Sequence, residues 1–409
     1  MDNLIKSNDD NNKERTQATQ HKVIGQGSYG CVIKPAYSKS STIKQDKISK
    51  ISLIDETNEN EIQMGEKIKK IPKYNIFFSP ILSSEPLYLH SSKNIETQDC
   101  HMVIDYEKKN APESSKGNKY MVNTINYIGK HLLDEHFIEL LKTKNFRYII
   151  GHLIQCHCHL LKGLMKLKNN NIIHFDLNSG NIMISDKKYT PIFIDFGLAF
   201  EATDKGISLD PTDSPFFTHS NDYNPWCIDI IFISYYIHKK DKQLHEITID
   251  SKELMSLVNS QIQLKSSIFS RYMNTNQVNE YKSNLKTFIS DWNGKKAIDL
   301  YYELYHKRFS WDNYAVSILM LKIIKNMGSY TPFVKRYESI LINVLVAAPN
   351  KRMDAEATLK EVMNLPKQTK LLDGTQIANM RKKIRTQDII HNLNNSIVED
   401  KRRQLELTQ

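Results

Sequence analysis

No run of this chain is long and apolar enough to cross a membrane. Its most apolar stretch, from Ile228 to Ile237, is about half the ~20 residues a spanning helix needs, and it carries Asp229. The first 20 residues are rich in Asn, Asp, Lys and Gln and have no apolar core, so no signal peptide is expected and the segment reads as a disordered arm. Cysteine is scarce: Cys31, Cys100, Cys156, Cys158 and Cys227 make an odd set at irregular spacing. That argues against a disulfide framework and for a reducing, cytoplasmic compartment. Blocks of like charge are missing too. The net charge is +10, but the lysines are scattered, which suits a lysine-rich nucleotide-binding enzyme better than a nucleic-acid or membrane-surface binder. There is no internal repeat.

The 409 residues, 40% hydrophobic and 25% charged, can bury one large two-lobed domain or two ordinary ones. Short β-like runs dominate from residue 21 to about 105: Val23-Ile24, Cys31 to Ile33, Ile48 to Leu53 and Met102 to Ile104. One helix, Asn58 to Ile71, interrupts them and is ended by Pro72. After the polar loop 107–119 the pattern turns helical. Ile149, Leu153, Leu160, Leu164 and Leu167 form a stripe on a helix from Phe146 to Leu167. Two strand-like runs, Ile182 to Ile184 and Ile192 to Ile194, precede a helical stretch reaching Leu365, and a basic tail fills 366–409. This order predicts an α+β fold with a β-rich N-terminal lobe over 21–106 and a helical C-terminal lobe over 107–365.

Three patterns carry chemistry. Gly25-Gln26-Gly27-Ser28-Tyr29-Gly30-Cys31-Val32 reads G-x-G-x-x-G-x-V, in which glycines let backbone N–H groups approach phosphate oxygens. The run continues as a strand, whereas a dinucleotide-binding loop would open a helix. His174-Phe175-Asp176-Leu177-Asn178-Ser179-Gly180-Asn181 reads H-x-D-L-x-x-x-N and is far more specific. Phosphoryl transfer needs a carboxylate at the nucleophile and an amide oxygen on a nearby magnesium ion, and Asp176 and Asn181 provide both. Fourteen residues on, Ile194-Asp195-Phe196-Gly197 follows a strand. Asp195 is placed to chelate the metal, and Gly197 permits a sharp exit. Asp and Asn in two loops could serve only as turn residues, but their order and spacing downstream of the glycine pattern oppose that.

With these motifs in hand the chain resembles a eukaryotic-type protein kinase from about residue 21 to 365, most like the divergent serine/threonine kinases of large DNA viruses. The resemblance implies a bilobal fold, ATP and Mg2+ as cofactors, and transfer to Ser/Thr hydroxyls of a protein whose identity is open. Asp176 would be the catalytic base, with Asn181 and Asp195 on the metal. Ile24, Gly25, Gly27, Ser28, Tyr29, Gly30 and Val32 would cover the nucleotide. Ile104 would gate the adenine pocket, and Asp105 and Glu107 would form the hinge that binds adenine. A lysine on the third strand and its helix glutamate are assigned to Lys50 and Glu61. Lys44 competes with Lys50, and Glu61 is chosen because it shares a helix face with Met64, Gly65 and Ile68.

Several family features are absent. Phe175 replaces the arginine that meets an activating phosphate, Asn178 replaces the loop lysine, and no A-P-E triplet is present, Tyr223-Asn224-Pro225-Trp226 being the nearest substitute. Either Asp229 or Asp312 could be the buried aspartate beneath the catalytic loop. The sequence around Trp311 to Val316 favours Asp312, with 240–305 as an insertion and Arg352 in a closing turn. A small-molecule phosphotransferase and a nucleotide-binding scaffold without activity are the alternative readings. His152, Cys156 and His159 share a helix face at metal-ligand spacing, but a packed helix without metal is the preferred reading. The basic tail reads as a solvated helix rather than a nucleic-acid site.

Overall fold

Cys31 and Ile33 alternate with Val32 and Lys34, so a strand here buries one face and leaves the other open. A computed structural model of the chain, an α+β architecture, shows that strand as the second of a five-stranded sheet. The structure describes residues 22–27, 30–37, 46–87, 100, 101, 103, 120–204, 206, 215–216, 223–239, 243–264, 267–327 and 331–368. The N-terminal arm, Ser28, Tyr29, Lys44, Ile104, Asp105, Glu107 and the basic tail beyond 368 lie outside these residues.

The chain divides into two compact units: residues 1–53 with 85–124, and residues 54–84 with 125–409. The first is built on a five-stranded sheet in the order β1-β2-β3-β5-β4. Its strands are β1 (Lys22–Gly27), β2 (Gly30–Lys34), β3 (Lys47–Leu53), β4 (Ser83–Leu87) and β5 (Tyr120–Asn126). β2 runs antiparallel to β1 with Gly27 facing Gly30, and antiparallel to β3 with Val32 facing Lys50. Cys31, Ile33, Ile51, Leu87, Cys100, Val103, Tyr120 and Val122 form its core. Gly30 is required by close approach, because any Cβ there would run into the Ile51 carbonyl.

Three expectations need correction in this unit. Cys31 and Cys100 form a disulfide, so the cysteines are not all free. Their separation of 69 residues hid the pairing, which depends on β2 meeting a segment far along the chain. Of the strand expected at 102–104 only Val103 is described, and it is helical, as is His101. The strand leading out of the unit is β5, which the sequence reading left on the far side of the lobe boundary. The contacts carry the first unit on to Thr124.

The second unit opens with α1 (Glu56–Lys69), starting two residues earlier than expected because the Asp55 side chain caps it, accepting from Asn58 N at 2.8 Å. Its helices continue with α2 (Leu133–Thr143), α3 (Phe146–Lys168), α4 (Ile228–Ile237), α5 (Ser251–Gln263), α6 (Ile268–Tyr272), α7 (Thr275–Ser290), α8 (Ala297–His306), α9 (Trp311–Asn326), α10 (Pro332–Val346) and α11 (Ala355–Gln368). α11 runs through Pro366, past the expected end of the domain at Leu365. Every residue of α9 from Trp311 to Ile324 is buried, so this helix is enclosed on all sides and its neighbours pack around it. Two small ribbons complete the unit: β6 (Ile172–Ile173) with β9 (Phe200–Glu201), and β7 (Ile182–Ile184) with β8 (Pro191–Phe193). No helix among the described residues is long and apolar enough to cross a membrane.

The histidine face of α3 is divided by packing. His159 meets the Ile76 carbonyl at 3.0 Å and stacks on Phe77. His152 turns instead to His136 of α2, with Nε2 to Nε2 at 2.9 Å, and to the Cys156 thiol at 3.6 Å. His157, fully buried, meets Tyr337 Oη at 2.9 Å through Nδ1. Burial pushes His157 down to about 3 and, with the neighbouring His152 and His131, pushes His136 down to about 4. Between pH 6.5 and those values the unfolded chain binds protons that the folded chain refuses, so stability falls as pH falls. Each such histidine contributes about 1.4 kcal/mol per pH unit in that window. Thermal melts should therefore drop steeply from pH 6.5 to pH 5. His157→Gln should flatten that slope, and an unchanged slope would show that His157 is already protonated in the fold.

Candidate active site

Phe175 has φ 69° and Asp195 φ 60°, a left-handed conformation that costs a non-glycine residue roughly 1–3 kcal/mol. Both lie in the two motifs singled out in the sequence, and the surroundings show what holds them. The loop leaves β6 at His174. There the Asp312 carboxylate, in the first turn of α9, accepts His174 N at 2.8 Å and Phe175 N at 3.0 Å, one on each oxygen. Burial pushes the Asp312 carboxyl above the usual carboxylate range, while the two N–H groups and His174 oppose this. Asp229 has a different role: it makes a fully buried ion pair with Arg352 at 2.8 Å. Asp312, rather than Asp229, thus lies beneath the loop.

The register of one hairpin brings the second motif alongside. Ile182 pairs with Phe193, and Ile194 N donates to Asn181 O at 3.0 Å, so Asn181 and Asp195 sit at the same end of the β7–β8 ribbon. The His174 ring joins the two, its Nε2 lying 3.1 Å from Ile194 O and its face 4.8 Å from Phe196. α1 closes over the exit: Asn60 Nδ2 donates to Gly197 O at 2.8 Å and Ala199 O at 2.9 Å. A Cβ on Gly197 would stand 3.1 Å from Thr57 Cγ2, so the helix approaches too closely for a larger residue without adjustment.

Asp176 is gripped on both oxygens. Oδ2 accepts Asn181 Nδ2 at 2.8 Å, and Oδ1 accepts Asn178 Nδ2 at 3.0 Å and the Tyr223 hydroxyl. Asn181 Nδ2 also donates to Asp176 O at 2.8 Å. Both amide hydrogens of Asn181 therefore point at Asp176, which leaves its oxygen for a cation. That oxygen and the Asp195 carboxylate are hard donors of the kind Mg2+ takes, so the residues present fit the ion the sequence implied. Burial pushes the Asp176 carboxyl above the usual carboxylate range and the Asp195 charge adds to this, while Tyr223, His174 and Asn178 oppose it. A raised value moves a carboxylate toward the range in which a general base works.

In the other unit Lys50 stands on β3 opposite Val32, both half-buried on one sheet face. Ile24 is 50% exposed on β1, and Gly25 pairs with Val32 in the β1–β2 register. Glu61 belongs to the helical unit, buried on α1 with Met64, Gly65 and Ile68.

No family model matches the chain. It is 27% identical over 141 residues to homeodomain-interacting protein kinase 4 of Macaca fascicularis, which covers 33% of this chain and 21% of that protein. The chain thus spans about a fifth of the length of the curated relative it matches. A solved twitchin kinase fragment of C. elegans, with protein kinase and immunoglobulin domains, aligns at a TM-score of 0.41 and 16% identity, covering 90% of this chain and 63% of that one. The sequence similarity is to a eukaryotic protein kinase.

Several contacts had no clear signal in the sequence. Asn60 stands between Glu59 and Glu61 on α1, and the sequence reading gave it no role. Trp226 Nε1 donates to Phe175 O at 3.0 Å, and the Phe175 ring lies against Phe200, Phe216, Trp226 and Trp311 at 5.1–6.4 Å. The side chain in place of the family's arginine is thus packed in an aromatic cage. Removing the anchor beneath it should be costly. Asp312→Ala leaves two buried N–H groups unpaired at about 1–3 kcal/mol each. The variant should melt lower and exchange the His174 and Phe175 amides much faster, and unchanged exchange at those amides would show that the loop does not depend on Asp312.

Proposed function

We propose that this chain is an ATP-dependent protein kinase that transfers the γ-phosphoryl group to Ser/Thr hydroxyls of proteins. The observation that carries the reading is the convergence of Asp176, Asn181 and Asp195 through the β7–β8 register, over a loop fixed by Asp312. Asp176 takes the acceptor's proton as the acceptor oxygen bonds the γ-phosphorus and the bond from that phosphorus to the β-phosphate oxygen breaks, releasing ADP. The Asn181 oxygen and the Asp195 carboxylate would hold Mg2+, whose charge offsets that of the phosphates. Lys50, with Glu61 as its partner, binds the α- and β-phosphates. Ile24, Gly25, Gly27, Ser28, Tyr29, Gly30 and Val32 cover the nucleotide. The strand order supports giving the adenine-binding backbone to the residues at the end of β5, in place of Asp105 and Glu107. The viral affinity, the insertion over 240–305 and a cytoplasmic site of action belong to the same proposal.

The test is to incubate the purified chain with labelled ATP, magnesium, casein-like proteins and small alcohols. Label on protein Ser/Thr supports the reading, label on a small alcohol favours the phosphotransferase alternative, and no transfer favours a scaffold. Asp176→Asn should lose ~10²–10⁴-fold in transfer rate while still binding ATP, and unchanged turnover would remove Asp176 from its role.

The Phe175 cage bears on regulation. Phe175 has no charge for a phosphate to neutralise, and packing holds it. Ser208, Thr212, Ser214 and Thr218, four hydroxyl residues of the segment 197–225, lie outside the described residues. Phosphatase-treated enzyme should keep its specific activity, and alanine at all four positions should reduce it only modestly. A large loss restored by pre-incubation with ATP would mean that a cation elsewhere reads a phosphate on the segment.

A further inference from the structure

The turn from Tyr223 to Trp226 is stapled to the candidate catalytic loop at two points. Trp226 N donates to Tyr223 O at 3.0 Å, closing the turn, and the two rings meet edge to face at 5.3 Å. One staple is Trp226 Nε1 on Phe175 O, and the other is the Tyr223 hydroxyl on Asp176 Oδ1. Asn178 completes the second. Its Nδ2 donates to Asp176 Oδ1 and to Tyr223 Oη, each at 3.0 Å, and its own oxygen accepts Gly180 N at 2.7 Å. Tyr223 is 5% exposed and Asn178 4%. The phenol thus accepts from one partner and donates to the other, which only a hydroxyl can do. Asn178 donates and accepts at once, which a lysine cannot do.

A carboxylate oxygen has two lone-pair sites. On Asp176 Oδ1 both are taken, by Tyr223 and Asn178. On Oδ2 one is taken by Asn181 and, among the described residues, one remains. Both amide hydrogens and the oxygen of Asn178 are thus committed to Asp176, Tyr223 and Gly180.

We propose that Tyr223 and Asn178 are a matched pair of positioning residues, which lock the Asp176 carboxylate so that Oδ2 alone receives the acceptor's proton. The pair stands where a loop lysine would otherwise contact the γ-phosphate, so this chain uses that position to orient its base. The inference rests on the kinase reading above.

The test uses the full chain with Mg-ATP and casein, following kcat, the KM for ATP and the melting temperature. Tyr223→Phe keeps the ring against Trp226 and removes only the hydroxyl. It should lower kcat about 10²-fold, the scale of a misplaced reacting group, with the KM for ATP unchanged and the melting temperature lowered only slightly, as expected for the loss of the buried hydroxyl's hydrogen bonds. Asn178→Lys should fail equally, because Gly180 N loses its acceptor and the longer chain meets the phenol ring. Combining Asn178→Lys with Tyr223→Thr, which makes room for the lysine, should recover activity above either single variant. Wild-type kcat in Tyr223→Phe, or a loss explained wholly by a lower melting temperature, would overturn the pair while leaving the kinase reading intact. A wild-type chain that binds Mg-ATP and transfers to no protein acceptor would overturn the kinase reading, and the pair with it.

Discussion

The Asp312 carboxylate, buried at the start of α9, receives the backbone N–H groups of His174 and Phe175, and the rest of the candidate site depends on this arrangement. Ionised carboxylates make stronger hydrogen bonds than neutral acceptors, and two such bonds compensate for holding Phe175 left-handed. That conformation turns the chain so that the Phe175 ring enters the aromatic cage while Asp176 points toward Asn178, Asn181 and Tyr223. The foundation is rigid because α9 is enclosed on every side.

From this anchor the constraints run outward through the backbone. β6 fixes where the loop begins, and the β7–β8 register fixes where it ends. That register sets Asn181 beside Asp195 without any contact between their side chains being needed. His174 ties the two halves through Ile194 O, and Asn60 reaches from α1 to the carbonyls of Gly197 and Ala199. The aspartate at 195 is left-handed because the chain must leave the ribbon and turn under α1 within three residues, where Gly197 gives the helix room.

Charge is distributed with the same economy. The buried Asp229–Arg352 pair joins the start of α4 to the turn before α11, a structural role far along the chain from the loop. Buried pairs of this kind are weak evidence for stability but are costly to break singly. Arg308 works nearer the motif: Nε donates to Ala202 O at 3.1 Å and Nη2 to Asp204 at 2.7 Å, fixing the residues that follow β9. The segment is thus fastened at its start by Arg308, at its end by Tyr223 and Trp226, and between them by the packing of Phe175 and Phe216.

By itself the sequence marked the residues of the candidate site. Asp176, Asn181, Asp195 and the glycine pattern stand in a short, ordered spacing, because each motif is local and the loop that holds it spans only a few residues. It also determined α1 and α3 to within two residues of their ends, since helical periodicity acts within one or two turns, although the Asp55 cap that begins α1 was not read from it. Tertiary structure decided what depends on distant partners. Two aspartates fitted the place beneath the loop, and only the packing of α9 selected Asp312. Cys31 and Cys100 are too far apart in sequence for their spacing to reveal a bond. β5 follows a long polar loop and lacks a clean apolar–polar alternation, so nothing local marked it as the last strand of the sheet. Tyr223 could not be read as a partner of Asp176, because a hydrogen bond across 47 residues is made by the fold alone.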